Sequence, residues 1–185
     1  MKRDAKQVFT ELLVYKAQDG DEKAFADLYE LWKLDLIRLG RSVLRDREGM
    51  KDAAQDAWIA IARGIRKLDD PARFRAWAFS ILRGKCIDRI RRESRERARD
   101  ESYFRASQME TTDTVSGPKI EAAADLAEAI SKLDTDARIL LHLYYEAELS
   151  VSEISEAMEI PEGTVKSRLH AVRRQLKKQL EGLQK

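Results

Sequence analysis

Apolar residues recur every three or four positions through most of this chain, and runs of β-branched residues are missing. That period belongs to helices with one buried face. A first helix is expected over Asp4 to Gln18, with Val8, Phe9, Leu12 and Leu13 inward, ended by Gly20. Asp21 can cap a second helix to about Leu44, striped by Phe25, Leu28, Trp32, Leu36, Leu39 and Val43. A third runs from about Gly49 to Lys67, with Met50, Ala54, Ala57, Ile61 and Ile65 inward. Asp70-Pro71 is a start signal, an N-cap followed by proline at the first helical position. Phe74, Trp77, Ala78, Ile81, Leu82, Cys86 and Ile90 follow at helical spacing, and at those positions Trp58, Phe74 and Trp77 read as core. Beyond Ile90 the stripe stops while RRESRERAR continues, so the end of this helix should be exposed.

Residues 100–118, DESYFRASQMETTDTVSGP, have no period and end in Gly-Pro, which reads as a flexible linker where only Tyr103 and Phe104 offer local docking. A second helical unit opens near Lys119. Leu126, Ile130 and Leu133 stripe its first helix, and Asp134 or Thr135 caps a second carrying Ile139, Leu140, Leu143 and Tyr144. His142 is expected at the surface or core edge of that helix. Ser150-Val151-Ser152-Glu153 is a capping box, with Leu149 and Ile154 as its staple. The turn Glu159-Ile160-Pro161 leads into the last helix. The expected architecture is all-α: two small helical domains, 1–99 and 119–185, joined by the linker.

Composition agrees with that class and adds one surprise. Hydrophobic residues make up 43%, enough for a core, while 37% are charged, against roughly 25% in ordinary domains. The formal charge is only +2. It is not evenly spread. Residues 83–99 hold eight Lys or Arg against three acids, and residues 166–178 hold six with none. The remainder of the chain therefore carries −9 to leave +2. Two basic blocks on an acidic body are a usual footprint of nucleic-acid binding. A single cysteine, Cys86, allows no internal disulfide and reads as a small buried hydrophobe in a reducing cytoplasm. No window approaches a membrane span.

The last two helices, with a tight turn and a buried stripe of Val165, Leu169 and Val172, have the pattern of a helix-turn-helix. Ala157 permits close packing and Ile160 plugs the turn. Thr164, Lys166, Ser167, His170, Arg173 and Arg174 would then face outward, early residues toward base edges and later ones toward phosphates.

LSVSEISEAMEIPEGTVKSRLHAVRRQLKK resembles the promoter-binding region of the extracytoplasmic-function group of bacterial sigma factors, and AISKLDTDARILLHLYY before it is also similar. So are GDEKAFADLYELW, KDAAQDAWIAIARGI and FRAWAFSILRGKCIDRIRRESR, in family order over nearly the whole chain. The FRAW segment followed by IDRIRR, after a DxxQD-like helix, is the most specific of these matches. The resemblance implies a region two that binds core RNA polymerase and melts the −10 promoter element. It implies a region four that binds the −35 element, no cofactor, and control by an anti-sigma factor. On this likeness Asp52, Gln55 and Asp56, which share one polar helix face, would bind the polymerase. Arg83, Lys85, Asp88, Arg89, Arg91 and Arg92 would meet the −10 element. Asp88 cannot favour phosphate, so it would serve a helix ion pair or a polar contact to an extruded base. Leu68 to Arg73 would offer a pocket wall. Thr164, Lys166, Ser167, His170, Arg173 and Arg174 would read the −35 element. The sequence departs from the family with Gly84 where many relatives carry Asn, and with Ala53-Ala54 where bulkier aliphatics are usual.

Two other function classes compete. A stand-alone operator-binding regulator needs only the helix-turn-helix, but leaves the basic N-terminal half unexplained. An enzyme would need a site, and the two histidines, His142 and His170, lack ligand or acid–base spacing, while the eight glycines form no phosphate loop.

Overall fold

The computed structural model describes residues 5–44, 46–100 and 118–183, and every regular element among them is helical. The helices are α1 (Ala5–Gln18), α2 (Glu22–Val43), α3 (Arg47–Gly64), α4 (Phe74–Asp100), α5 (Pro118–Ser131), α6 (Thr135–Leu141), α7 (Val151–Met158) and α8 (Glu162–Leu183). Short 3₁₀ turns at Ile65–Lys67 and Pro71–Arg73 connect α3 to α4, and a π-turn at His142–Glu146 extends α6. The linker reading of residues 100–118, with Tyr103 and Phe104, falls outside the described residues apart from its two ends.

Side-chain caps set the boundaries, because the first N–H groups of a helix have no partner within it. Asp21 accepts from the Ala24 N–H, Asp46 from Glu48 and Gly49, and Asp134 from Ala137. At α7 the box is reciprocal: the Glu153 N–H donates to Ser150 Oγ, and the Ser150 N–H donates to the Glu153 carboxylate. Glu159 closes α7 at φ 56°, in the left-handed region. Gln18 pins the α3–α4 connection by donating to the carbonyls of Ile65 and Leu68, at 2.9 and 2.7 Å.

The stripes of α2, α3 and α4 face inward as their spacing implies, with Phe25, Ile81 and Ile90 half-buried at the margin of the core, and Phe74, Phe79, Leu28, Leu36, Leu39, Ile61 and Leu82 almost wholly enclosed. Trp58 and Phe74 are core, and Trp77 is half-buried against Gly64. Three places differ from the expectation, the smallest being Leu126 of α5, whose spacing points inward and which is 41% exposed. In α1 the inward residues are Thr10, Leu13, Val14 and Ala17, while Val8, Phe9 and Leu12 stay about half exposed. A polar bond sets this rotation. The buried Trp32 indole N–H must be satisfied, and it donates to Thr10 Oγ1 at 3.0 Å. His142 is buried, not at a core edge. It lies three residues after Ile139 and beside Leu143, on the inward side of the helix.

The two halves do not stand apart. Buried residues of α1–α4 and of α6–α8 belong to one continuous apolar core. Helix α7 packs on α4 more extensively than on α8, and α2 touches α6.

Candidate nucleic-acid interface

The first basic block lies on the C-terminal part of α4. Its sequence forces a division of labour, because the apolar stripe ends at Ile90 while the helix goes on. Asp88, Arg91 and Arg92 are exposed, and Lys85 is half-buried. Arg89 is different. Its side chain is only 17% exposed and it meets three carboxylates: Asp46 Oδ2 at 3.1 Å, Asp52 Oδ2 at 3.0 Å and Glu93 Oε1 at 2.9 Å. Asp46 is the N-cap of α3, so one carboxylate joins the start of α3 to the middle of α4. The Gly49 and Glu48 N–H groups, helped by Arg89, hold the Asp46 carboxyl below the usual carboxylate range. The approach demands glycine at position 49, where a Cβ would sit 2.1 Å from Arg89 Nε.

Arg83 also has a partner, from the other half of the chain. Its Nη2 lies 3.5 Å from Asp136 Oδ1 in α6, and Asp136 also meets Arg168 of α8 at 3.6 Å. Two further pairs cross the same boundary. Arg73 Nε donates to Glu156 Oε1 at 2.9 Å, and Arg75 Nη1 lies 3.9 Å from Glu153 Oε1. Partners separated by 53 to 83 positions leave no local signal, so sequence reasoning missed these pairs. Arg73 ends the Leu68–Arg73 segment, which is thereby fixed by Gln18 at one end and Glu156 at the other.

On α3 the exposed side carries Asp52, Gln55 and Asp56, while Ala53, Ala54 and Ala57 are buried beneath. The patch is one continuous polar face, and Asp52 is its member bound to Arg89. Ala54, Gln55 and Trp58 of α3 face Phe25, Tyr29 and Ile37 of α2 across a shallow apolar groove.

The second basic block is α8. Val165, Leu169 and Val172 are buried. Lys166, Ser167, His170, Arg173 and Arg174 are exposed, and Thr164 is half-buried. All six predicted residues therefore lie on the outer side of one helix. Ser167 Oγ donates to the Thr164 carbonyl, and Arg173 leans on Tyr144 and Tyr145. Its Nε donates to the Tyr145 hydroxyl at 2.8 Å. That tyrosine cradle was also not anticipated. Lys166, His170 and Arg174 have no such anchor among the described contacts.

Residues 28–96 match Sigma-70 region 2, and residues 123–176 match Sigma-70 region 4. The ECF RNA polymerase sigma factor SigW of Bacillus subtilis (strain 168) is 31% identical over 179 residues, covering 92% of this chain and 96% of that protein. This chain belongs to the ECF RNA polymerase sigma factors. As a sigma factor it carries both matched regions in one polypeptide, so the stand-alone regulator reading is not favoured. The fold agrees. CnrH, solved with the cytosolic domain of CnrY, superimposes with a TM-score of 0.67 at 24% identity, covering 94% of this sigma factor and 98% of CnrH. The sigma factor RpoE of Bartonella quintana, solved with the anti-sigma factor NepR, gives 0.65 at 21% identity, covering 84% of this chain and 97% of that one.

Among the described residues no His, Cys, Asp and Glu group could hold a metal ion, and no helix is long and apolar enough to cross a membrane. Cys86 is buried, and burial pushes its thiol up to about 12, which keeps it protonated.

Proposed function

We propose that this sigma factor binds core RNA polymerase through the Asp52, Gln55 and Asp56 face of α3 and contacts promoter DNA at two places. In this reading residues 1–99 act as region two, 100–118 as the connection and 119–185 as region four. The C-terminal part of α4 meets the −10 element, with Lys85, Asp88, Arg91 and Arg92 at its surface and Arg83 available once released from Asp136. Arg89 orients that segment by clamping it to α3. The outer side of α8 meets the −35 element. Thr164, Lys166, Ser167 and His170 approach base edges, and Arg173 and Arg174 approach phosphate.

The observation that carries the reading is the outer side of α8, where basic residues from Lys166 to Lys178 stand over a buried stripe with no acid among them. A cationic face of this kind releases counterions from DNA and binds it. The protein does no catalysis of its own here and works in the cytoplasm, where core polymerase is found. CnrH and RpoE were solved with CnrY and the anti-sigma factor NepR, which supports an anti-sigma factor as a further partner.

The test is transcription of genomic DNA by sigma-free core polymerase, with and without this protein, mapping transcript 5′ ends. New starts sharing a two-part upstream element are expected. DNA binding by the protein alone, with no new starts, would instead restore the regulator reading.

A further inference from the structure

Glycine weakens a helix relative to alanine, so a helical glycine calls for a reason. Three of those here have one inside the protein. A Cβ on Gly40 would press on Met50, one on Gly49 on Arg89 and one on Gly64 on Trp77. Gly84 and Gly163 have none among the described contacts, since a Cβ on either would meet nothing within 4 Å. Gly163 is exposed in the first turn of α8, and its φ is not in the left-handed region. The turn does not need it: the Thr164 and Val165 N–H groups donate to the Pro161 carbonyl past it. Its place on the helix sets it apart. Ser167, His170 and Arg174 follow it at helical spacing, so Gly163 heads the outer row and lies away from the buried Val165, Leu169 and Val172.

We infer that Gly163 is a specificity-determining residue: its missing side chain sets how deeply the start of α8 seats in the major groove, and so how well base edges are read. This rests on the functional reading above. A helix with its side chains is about 10–12 Å across, and the major groove is about 12 Å wide. Depth is therefore limited by whatever faces the groove floor, and the start of a recognition helix is the part nearest the bases. A methyl group at position 163 would lift that end outward. The lift costs short side chains most. Thr164 and Ser167 cannot follow, and a hydrogen bond weakens once its heavy atoms part beyond about 3.2 Å. Arg173 and Arg174 are long and reach for phosphate, so they follow at little loss. Depth at position 163 thus governs sequence choice more than general DNA affinity.

The test uses holoenzyme assembled from the full chain and core polymerase. One duplex carries the upstream half of an element mapped by the transcription experiment above; the other has the same bases in scrambled order. Gly163→Ala should raise the unfolding midpoint of the free chain, because it removes a helical glycine. It should weaken binding to the mapped duplex about tenfold, the scale of one mismatched base pair, and change binding to the scrambled duplex by about twofold at most. Gly84→Ala, at an equally open glycine off α8, should raise the midpoint and leave both affinities at parent values. Parent-strength binding of the mapped duplex by Gly163→Ala would overturn the inference. So would equal losses on both duplexes, which would set Gly163 against phosphate alone, or a lowered midpoint, which would make the glycine a structural requirement of α8. Parent holoenzyme with no preference between the duplexes would sink the functional reading first, and this inference with it. A clear parent preference that Gly163→Ala leaves intact sinks this inference alone.

Discussion

The basic stretch of α4 and the basic stretch of α8 look alike in sequence and are used differently in the fold. On α8 the cations have no acidic neighbours within the block, the stripe beneath them is buried, and the outer side is open. On α4 acids are interleaved, and two of the arginines are already occupied: Arg89 by three carboxylates and Arg83 by Asp136. Counting positive charge therefore overstates what α4 offers DNA more than what α8 does, where Arg168 meets Asp136 and Lys177 meets Glu181 but the other cations of the block face no carboxylate among the described contacts. An arginine within reach of a tethered carboxylate is a structural element first, and a phosphate ligand only after the carboxylate lets go.

The largest effect should come from the acidic face of α3, which neither basic stretch shares. Asp56→Arg is expected to weaken core polymerase binding by at least tenfold, as measured by fluorescence anisotropy, because it reverses a charge in a polar patch without touching the core. Asp52→Arg should lose binding too, but it also places a cation beside Arg89 and should lower the unfolding midpoint. The two variants separate contact from clamp. Polymerase binding by Asp56→Arg at parent strength would show that the patch is elsewhere.

Next comes the contrast within α4. Arg89→Met should cost about 1–2 kcal/mol of stability, since it strips hydrogen bonds from three carboxylates and leaves the Asp46 cap without its cation. Arg91→Ala should leave stability within about 0.5 kcal/mol, as surface substitutions usually do. Duplex binding should order the pair the other way, with Arg91→Ala the more damaging per unit of lost stability. Chemical denaturation beside a DNA titration measures both. An Arg89→Met variant of parent stability would break the division drawn between the two stretches.

How much of this was legible depended on the range of the interaction. The helices, the Asp21, Asp70 and Ser150 caps and the outer side of α8 follow from periodicity and neighbours three or four residues apart, so the sequence displays them. The rotation of α1 did not follow, because the Trp32 indole recruits Thr10 over a more apolar alternative. The burial of His142 was readable from its spacing to Ile139 but looked implausible for a polar ring. Arg89 with Asp46 and Arg73 with Glu156 depend on how separate helices meet, and no window of the sequence contains both partners.

A smaller effect sharpens the view of α8. Arg174→Ala should reduce duplex affinity several-fold and flatten the salt dependence by about one ion, the signature of one lost phosphate contact. Arg173→Ala should flatten it less, because part of that guanidinium is spent on Tyr145. Tyr145→Phe removes the acceptor and should bring position 173 up to the behaviour of position 174. Equal slopes for both alanine variants in the parent background would mean that the tyrosine does not restrain Arg173.

The smallest effect concerns Gly84, between the two tied arginines of α4. A Cβ there would meet nothing within 4 Å, so neither packing nor close approach explains the glycine. Its backbone is helical, which costs up to about 1 kcal/mol relative to alanine. Gly84→Ala should therefore raise stability by up to about 1 kcal/mol, seen as a higher unfolding midpoint, with the ion pairs of Arg83 and Arg89 intact. Its consequence for DNA is the more informative half. If position 84 lies against the −10 element, the added methyl group will change promoter opening while α8-dependent duplex binding stays constant. If it lies away from DNA, only stability will move. A loss of stability would mean that the surroundings of position 84 are tighter than the open space beside it allows, and α4 would have to bend there.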